Sequence, residues 1–202
     1  MKRLNLNDRD ALRQWEYFRR QVMEATTVDS FESEFDKQSR VAMLESNPEG
    51  WFQYYFPHYY KCKSAKFHRD ATRRLLNNKR WYEVRAWSRE LAKSVRSMME
   101  VMYMALTGEI RNVLLISNSH ENAERLLLPF MIEFESNLRI RNDYGFQEKP
   151  GKWEIGEFTT MGGVAFRALG AGQSPRGTRN ESWRPDFILV DDIDTDEETR
   201  NP

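Results

Sequence analysis

The stretch that decides the fold of this chain covers residues 88 to 94 and reads Ser88-Arg89-Glu90-Leu91-Ala92-Lys93-Ser94. Residues 81–87, which precede it, alternate and carry bulky side chains, which predicts a strand, and residues 95–103 have the spacing of a helix. A strand, a tight loop that ends in Lys-Ser and a helix form the arrangement that wraps backbone N–H groups around a phosphate chain. Residues 88–94 therefore predict a phosphate-binding loop.

This loop lacks the usual glycines. The standard pattern is G-x-x-x-x-G-K-[ST], and the chain has Trp87 and Ala92 at the two glycine positions. Lys93 still supplies a positive charge for the β- and γ-phosphates, and Ser94 still supplies a hydroxyl for Mg²⁺. If the position of Ala92 requires a positive φ, alanine costs about 1 kcal/mol there. From the pattern alone, a helix N-terminus that happens to contain Lys-Ser is an equally good interpretation.

Composition sets the class of protein. The 202 residues are 40% hydrophobic and 13% aromatic, which is enough to form a packed core. No apolar run approaches the roughly 18 residues of a transmembrane helix, and the N-terminus lacks the apolar centre of a signal peptide. The single cysteine, Cys62, excludes an internal disulfide framework. We therefore expect a cytoplasmic protein.

Charge is balanced over the whole chain but not locally. The formal net charge is zero, which argues against a general nucleic-acid coat. Basic residues nevertheless cluster between positions 61 and 80: Lys61, Lys63, Lys66, Arg69, Arg73, Arg74, Lys79 and Arg80. This basic run is either solvated surface or a set of contacts to DNA phosphates. Residues 191–198 are strongly acidic, and a role in binding Mg²⁺ is the better interpretation for them.

Hydrophobic periodicity predicts an α/β chain with a parallel sheet. The predicted helices cover residues 8–27, 30–46, 66–78 and 118–136, the predicted strands 81–87, 112–117, 153–160, 164–169 and 187–190, and a loop 137–150. The strands at 153–160 and 164–169 are expected to form a β-hairpin. Ser119 is expected to cap the helix at 118–136, and Pro129 to bend or split it. The aromatic run at residues 51–60 is better interpreted as a packed core than as a surface that stacks on bases.

The last predicted strand ends in two acids, as in the Walker B pattern. Residues 187–190 are apolar, and Asp191 and Asp192 follow directly. A strand of this kind brings its first acid to the carboxyl edge of the sheet, where the acid can hold Mg²⁺ through water. The second acid can orient the water that attacks a phosphate. Alone this pattern is weak, but here it follows an upstream strand, Lys-Ser loop and helix.

Together these motifs resemble the ATPase part of the large terminase subunit of tailed bacteriophages. That family has a deviant phosphate loop of the form S-R-x-L-[GA]-K-[ST], which residues 88–94 match at every defined position. The resemblance covers about residues 50 to 198. Further stretches that resemble the family lie at residues 116–119, 135–137, 143–145, 176–177 and 184–192.

The resemblance implies a fold, an activity and partners. The implied fold is a RecA-like (additional-strand) P-loop NTPase core with a parallel sheet at residues 61–202, preceded by a helical region at residues 1–60. The implied activity is ATP hydrolysis, with Mg²⁺, that drives double-stranded DNA into a viral procapsid in the host cytoplasm. The implied partners are DNA, a small terminase subunit and the portal, where full-length subunits work as a homo-oligomeric ring.

The resemblance also implies roles for single residues. Lys93 and Ser94 hold the phosphates and Mg²⁺, within a nucleotide-binding loop formed by Ser88, Arg89, Glu90, Leu91, Ala92, Lys93 and Ser94. Arg89 senses or stabilises the γ-phosphate, Asp191 is the Mg²⁺ acid, and Asp192 takes the catalytic place that glutamate has in many members. His68 lies upstream of the loop, where the family contacts adenine, although a surface helix histidine is an equal interpretation.

Two departures from the family leave alternatives open. The sequence ends before the family's coupling motif and before a nuclease domain, so we expect an incomplete sheet, poorly ordered termini and weak activity in isolation. One alternative is a DNA-binding or assembly module that keeps the fold but does not hydrolyse ATP. The other is a different P-loop enzyme, such as a helicase-like motor or a kinase.

Overall fold

The structure, a computed structural model, describes residues 6–173 and 183–193, with side chains from residue 13 onward. The chain divides into two compact units. The first contains residues up to 103 together with 137–143, and the second contains 104–136 and the residues from 144 onward. The boundary at residue 60 that the sequence suggests stays a prediction.

Seven helices and five strands make up the described part of the chain. The helices are α1 Leu6–Ala25, α2 Glu34–Glu45, α3 Pro48–Tyr55, α4 Lys66–Asn77, α5 Lys93–Leu106, α6 His120–Ser136 and α7 Leu138–Tyr144. The strands are β1 Asn112–Ser117, β2 Glu148–Glu154, β3 Glu157–Thr160, β4 Ala165–Gly170 and β5 Phe187–Val190. In the described residues no helix is both long and apolar enough to cross a membrane.

The aromatic run forms the core of the first unit. Trp51, Phe52, Tyr55 and Phe56 are fully buried on α3 and its C-terminal end. Trp51 packs edge to face on Tyr103 of α5, with ring centroids 5.3 Å apart. The prediction of a packed core is confirmed, because rings without solvent exposure cannot stack on bases. Asn47 starts α3 by accepting a hydrogen bond from the Gly50 N–H, and Pro48 occupies its first position.

The second unit is built on a mixed five-stranded sheet in the order β2-β3-β4-β1-β5. β1 pairs parallel with both β4 and β5, whereas β2, β3 and β4 are antiparallel. The predicted α/β class is confirmed, as are the strands at 112–117 and 187–190. The predicted parallel pairing is observed for β1 with β4 and β5, and the predicted hairpin is observed between β3 and β4. The sheet is nevertheless mixed rather than parallel throughout, because tight turns join β2, β3 and β4 as antiparallel hairpins. One of these turns is centred on Gly156, which has a φ of 90°.

Two local predictions for residues 137–160 also need correction. Residues 137–150 are not a loop, since they form α7 and the start of β2. The strand predicted at 153–160 is split, because the turn at Gly156 separates β2 from β3. Pro129 does not split the helix either, since α6 runs unbroken from His120 to Ser136.

The segment before the phosphate loop is not a strand in the described structure. Residues 81–88 have no regular secondary structure. Their side chains still alternate, since Glu83 and Arg85 are partly buried whereas Tyr82 and Val84 are 87% and 73% exposed. Ion pairs to α4 and α5 hold this segment, and they take the place of a backbone ladder. The prediction of a strand at 81–87 is therefore wrong for the described conformation.

Some predictions fall on residues that the structure does not describe. The Arg176-Gly177 stretch lies among residues 174–182, and the acids beyond residue 193 lie among residues 194–202. The expectation of poorly ordered termini concerns residues 1–5 and 194–202, which also lie outside the described ranges.

Candidate functional site

The backbone of the Lys-Ser loop is left-handed at two residues that are not glycine. Ala92, at the position that the standard pattern gives to glycine, has a φ of 55°. Glu90, two residues earlier, has a φ of 68°. A left-handed backbone costs a non-glycine residue about 1–2 kcal/mol, so neither conformation is a default of the sequence. Residues held in such regions concentrate at functional sites.

Ala92 also marks the start of α5. Its carbonyl oxygen accepts a hydrogen bond from the Arg96 N–H at 2.8 Å, and Lys93 is the first residue of the helix. Ser88 through Ala92 are exposed, Lys93 is partly buried and Ser94 is exposed. The N-terminus of a helix carries a partial positive charge and unpaired N–H groups. The loop thus presents a lysine, a hydroxyl and backbone donors at a point that favours anions.

A buried ion network holds α5 in place one turn beyond the loop. The Arg96 side chain, only 3% exposed, donates to Thr72 of α4 and forms an ion pair with Glu49 of α3. Glu100, 1% exposed, accepts a hydrogen bond from the Thr72 hydroxyl. Burial alone raises the pKa of Glu49, but the hydrogen bonds from Arg96 and Ser64 outweigh it and keep that pKa below the usual range.

Arg85 extends this network to the segment before the loop. It donates to Glu100 at 2.6 Å, to Ser97 at 3.3 Å and to Glu83 at 2.9 Å. Burial works to lower the pKa of the Arg85 guanidinium, but the Glu100 carboxylate outweighs burial and raises it. Burial likewise raises the pKa of Glu83, yet hydrogen bonds from Trp81, Arg74 and Arg85 lower it overall. Charge pairing therefore fixes both the entry to the loop and the helix that follows.

His68 contacts the loop directly. Its Nε2 lies 2.9 Å from the carbonyl oxygen of Leu91, in the middle of the loop. Its ring packs against Phe67 and against Trp87, the last residue before the loop, with centroid distances of 4.1 Å and 5.1 Å. The structure thus brings His68 into contact with Leu91 of the loop. A contact between His68 and adenine stays a prediction.

The two acids lie at the carboxyl edge of the sheet in the second unit. The Asp191 N–H donates to Ile116 at 3.0 Å, which continues the pairing of β5 with β1. Asp192 has a φ of 47°, and its carbonyl oxygen accepts hydrogen bonds from the Asn118 N–H and the Ser117 hydroxyl. The carboxyl ends of parallel strands are where open α/β sheets bind ligands.

At this edge of the sheet, the backbone at the end of β4 lies very close to the backbone at the start of α6. Gly170, the last residue of β4, lies against the first residue of α6. A Cβ atom at Gly170 would stand 2.5 Å from the backbone nitrogen of His120, so only glycine fits there. Ser119 caps α6 by accepting a hydrogen bond from the Asn122 N–H at 3.2 Å, as the sequence predicts.

The loop and the acids belong to different units, with residues 88–94 in the first and Asp191 and Asp192 in the second. A shared site for Mg²⁺ and ATP therefore stays a prediction. Sequence reasoning missed Arg85, Arg96 and Glu100, which hold the loop. A signal existed for two of them, because Arg96 and Glu100 are one turn apart within the apolar run of α5.

Comparison of the chain with protein-family models, with curated proteins and with solved structures finds no match in any of the three.

Proposed function

We propose that residues 88–94 bind the phosphates of ATP and that the chain is the ATPase part of a DNA-packaging motor of the terminase large-subunit type. The observation that carries the proposal is the left-handed backbone at Ala92, immediately before Lys93 and Ser94 at the start of α5. A chance Lys-Ser at a helix N-terminus has no need of this conformation, which costs about 1–2 kcal/mol at a non-glycine residue. The conformation therefore favours the phosphate loop over the equal alternative that the sequence left open.

In this proposal each polar residue of the loop has a separate task. Lys93 pairs with the β- and γ-phosphates, and Arg89, exposed in the middle of the loop, pairs with the charge that develops on the γ-phosphate. Ser94 and Asp191 hold Mg²⁺, which neutralises the phosphate oxygens when it is bound. Asp192 orients the attacking water. Aspartate is one methylene shorter than glutamate, so we expect slow hydrolysis.

The proposal includes the fold as well as the site. The fold proposed for residues 61–202 is a RecA-like P-loop core. The parallel pairing of β1 with β4 and β5, and the position of Asp191 directly after β5, support it.

Positive charge around α4 supports DNA as the second ligand. All eight basic residues of the run from Lys61 to Arg80 are exposed. Asp70 offsets part of this charge, because it pairs with Lys66 at 2.5 Å and with Arg73 at 2.6 Å. Arg74 likewise pairs with Glu83. The proposal assigns the remaining charge of the run to DNA phosphates.

The experiment that tests the proposal is a titration with a fluorescent ATP analogue. Lys93→Ala removes the charge that faces the phosphates, and we expect affinity to fall by about tenfold to a hundredfold. Lys152→Ala, which removes an exposed lysine from β2 in the second unit, is the matched control and should bind like the wild type.

Equal affinity of Lys93→Ala and wild type would overturn the assignment of the loop. Binding that depends on Lys93 but is followed by no hydrolysis, even with DNA present, would instead favour the non-hydrolysing DNA-binding or assembly module. Hydrolysis stimulated equally by single-stranded and double-stranded DNA would favour a helicase-like motor.

A further inference from the structure

The loop contains a carbonyl group whose direction controls one of the proposed phosphate donors. Leu91 lies between the two left-handed residues, Glu90 and Ala92. Its carbonyl and the N–H of Ala92 belong to one planar trans peptide unit, in which the two groups point in opposite directions. Whatever fixes the direction of the Leu91 carbonyl therefore also fixes the direction of the Ala92 N–H.

His68 is the side chain that holds this carbonyl, and its own hydrogen bonds define its tautomer. Nδ1 lies 3.2 Å from the backbone N–H of Ala65 and accepts a hydrogen bond from it. The proton of the neutral ring is therefore on Nε2, which lies 2.9 Å from the Leu91 oxygen. A carbonyl can only accept, so Nε2–H donates to Leu91. One tautomer satisfies both contacts.

The ring of His68 is also oriented by its neighbours. Phe67 and Trp87 both pack against it, and these two contact each other at 5.0 Å in an edge-to-face arrangement. Trp87 is the residue that leads into the loop, and His68 is in the first turn of α4. The imidazole thus links the N-terminus of α4 to both the entry and the middle of the loop.

We infer that His68 is a positioning residue for the phosphate loop: its Nε2–H holds the Leu91 carbonyl toward α4, so that the Ala92 N–H points away from α4 and toward the phosphates. This inference rests on the proposed function, and it assigns His68 a role different from direct contact with adenine. It also explains how two strained residues without glycine's freedom stay in place, since a tertiary contact fixes the peptide between Leu91 and Ala92.

Two substitutions of His68 distinguish the role of Nε2 from the role of Nδ1. His68→Gln places an amide N–H near the position of Nε2 and can still donate to Leu91. His68→Asn places an amide oxygen near the position of Nδ1 and can still accept from Ala65, but it is too short to reach Leu91. Affinity is measured for two probes, ATP and inorganic tripolyphosphate, and the second has no adenine.

For a positioning role we expect His68→Asn to weaken the binding of both probes about three- to tenfold, the effect of one hydrogen bond. We expect His68→Gln to bind both probes within about twofold of the wild type. Rescue by glutamine rather than asparagine is a pattern that a role in capping α4 does not produce, because capping requires the acceptor that only asparagine keeps.

Three results would overturn the inference. Loss of ATP affinity with unchanged tripolyphosphate affinity would show that His68 contacts adenine. Loss in His68→Gln but not in His68→Asn would show that it only caps α4. Wild-type affinity in both variants would show that the contact with Leu91 does not matter. Failure of the proposed function looks different, because wild type and Lys93→Ala would then bind both probes equally.

Discussion

The loop at residues 88–94 and the strand end at 191–192 use the same backbone conformation but are held in different ways. Ala92 has a φ of 55° and Asp192 a φ of 47°. Asp192 directly follows the β5 pairing with β1, and the Asn118 N–H holds its carbonyl at 3.0 Å. The loop around Ala92 has no such ladder, and side chains of His68 and of the buried network hold it instead. The same backbone conformation therefore depends on backbone pairing at Asp192 and on side-chain contacts at Ala92.

The two units also differ in the charged pairs of their described residues. The carboxyl groups of Glu49, Glu83 and Asp143, all in the first unit, have lowered pKa values because arginines or other donors bond to them. Both units have aromatic cores, and in the second Phe158 and Phe166 are fully buried and stack at 4.8 Å. The ion pair between Arg167 and Glu157 in the second unit is more exposed than the pairs of Glu100 in the first. Removing charge should therefore affect the first unit far more than the second.

The largest effect is expected from Glu100→Ala. This change removes the buried carboxylate that Arg85 and Arg96 share and leaves Glu83 and Glu49 as their remaining carboxylate partners. We expect the free energy of unfolding of the first unit to fall by about 3 kcal/mol. Arg167→Ala is the control in the second unit, because it removes an ion pair with Glu157, which is 58% exposed. We expect the control to cost about 0–1 kcal/mol.

Hydrogen exchange in urea reports the free energy of opening of each unit separately, and it is measured for both Glu100→Ala and Arg167→Ala. Similar losses in Glu100→Ala and Arg167→Ala would contradict the view that buried charge holds the first unit.

A smaller effect is expected on acidification, through Asp143. Burial raises the pKa of Asp143, but hydrogen bonds from Arg40 and Tyr55 outweigh it, so the pKa in the folded protein lies below the ordinary 3.8. The stabilisation that ionised Asp143 contributes is fully present above the pKa that this group has in the unfolded chain. It is lost as the pH falls through the lower pKa that the group has in the folded protein. Amides of α2 and α7, which Arg40 and Asp143 join, should lose protection below about pH 4.

Asp143→Asn serves as the comparison for the acid experiment. It should be less stable than the wild type at pH 7, and the difference should shrink as the pH falls. A constant difference between pH 7 and pH 3 would show that the ionised carboxylate of Asp143 does not contribute.

Replacing Ala92 with glycine should have a modest stabilising effect. Glycine adopts a positive φ without the Cβ penalty, while its greater freedom in the unfolded chain offsets part of the gain, so we expect about 0.5–1 kcal/mol. Ala92→Val, with a branched side chain in the same conformation, should destabilise the protein. Thermal unfolding compares the two variants, and equal shifts for both would mean that Ala92 is not left-handed in solution.

The smallest effect concerns DNA affinity. Lys61→Gln combined with Lys63→Gln should make the dependence of DNA affinity on salt less steep by up to about 1.8 in the log–log slope. The matched control is Lys149→Gln with Lys152→Gln on β2, which should leave the slope unchanged. Equal slopes for the two double variants would show that Lys61 and Lys63 of the basic run do not contact DNA phosphates.

Sequence reasoning succeeded where a pattern is local. The apolar run at 112–117 and the run at 187–190 that ends in Asp191 predicted β1 and β5 with their observed bounds, because buried parallel strands have a distinct composition. Residues 81–87 were mispredicted, because alternation shows only that one face is covered. It does not distinguish a sheet ladder from the ion pairs that Glu83 and Arg85 form.

The candidate site was predictable only in part. Residues 88–94 indicated the loop, but the left-handed conformation of Glu90 and the contact from His68 to Leu91 depend on tertiary structure. Histidine in the first turn of a helix gives no sign of which backbone group its second nitrogen will meet. The role of Asp192 is likewise a matter of position relative to a substrate, which sequence spacing does not define.

The central proposal is that Lys93 and Asp191 both take part in binding Mg²⁺–ATP. The most direct test measures ATP affinity with Mg²⁺ and with EDTA for wild type, Lys93→Ala and Asp191→Asn. We expect Mg²⁺ to strengthen binding by the wild type, Lys93→Ala to bind weakly under both conditions, and Asp191→Asn to lose only the strengthening by Mg²⁺. The same Mg²⁺ dependence in Asp191→Asn as in the wild type would contradict the proposal.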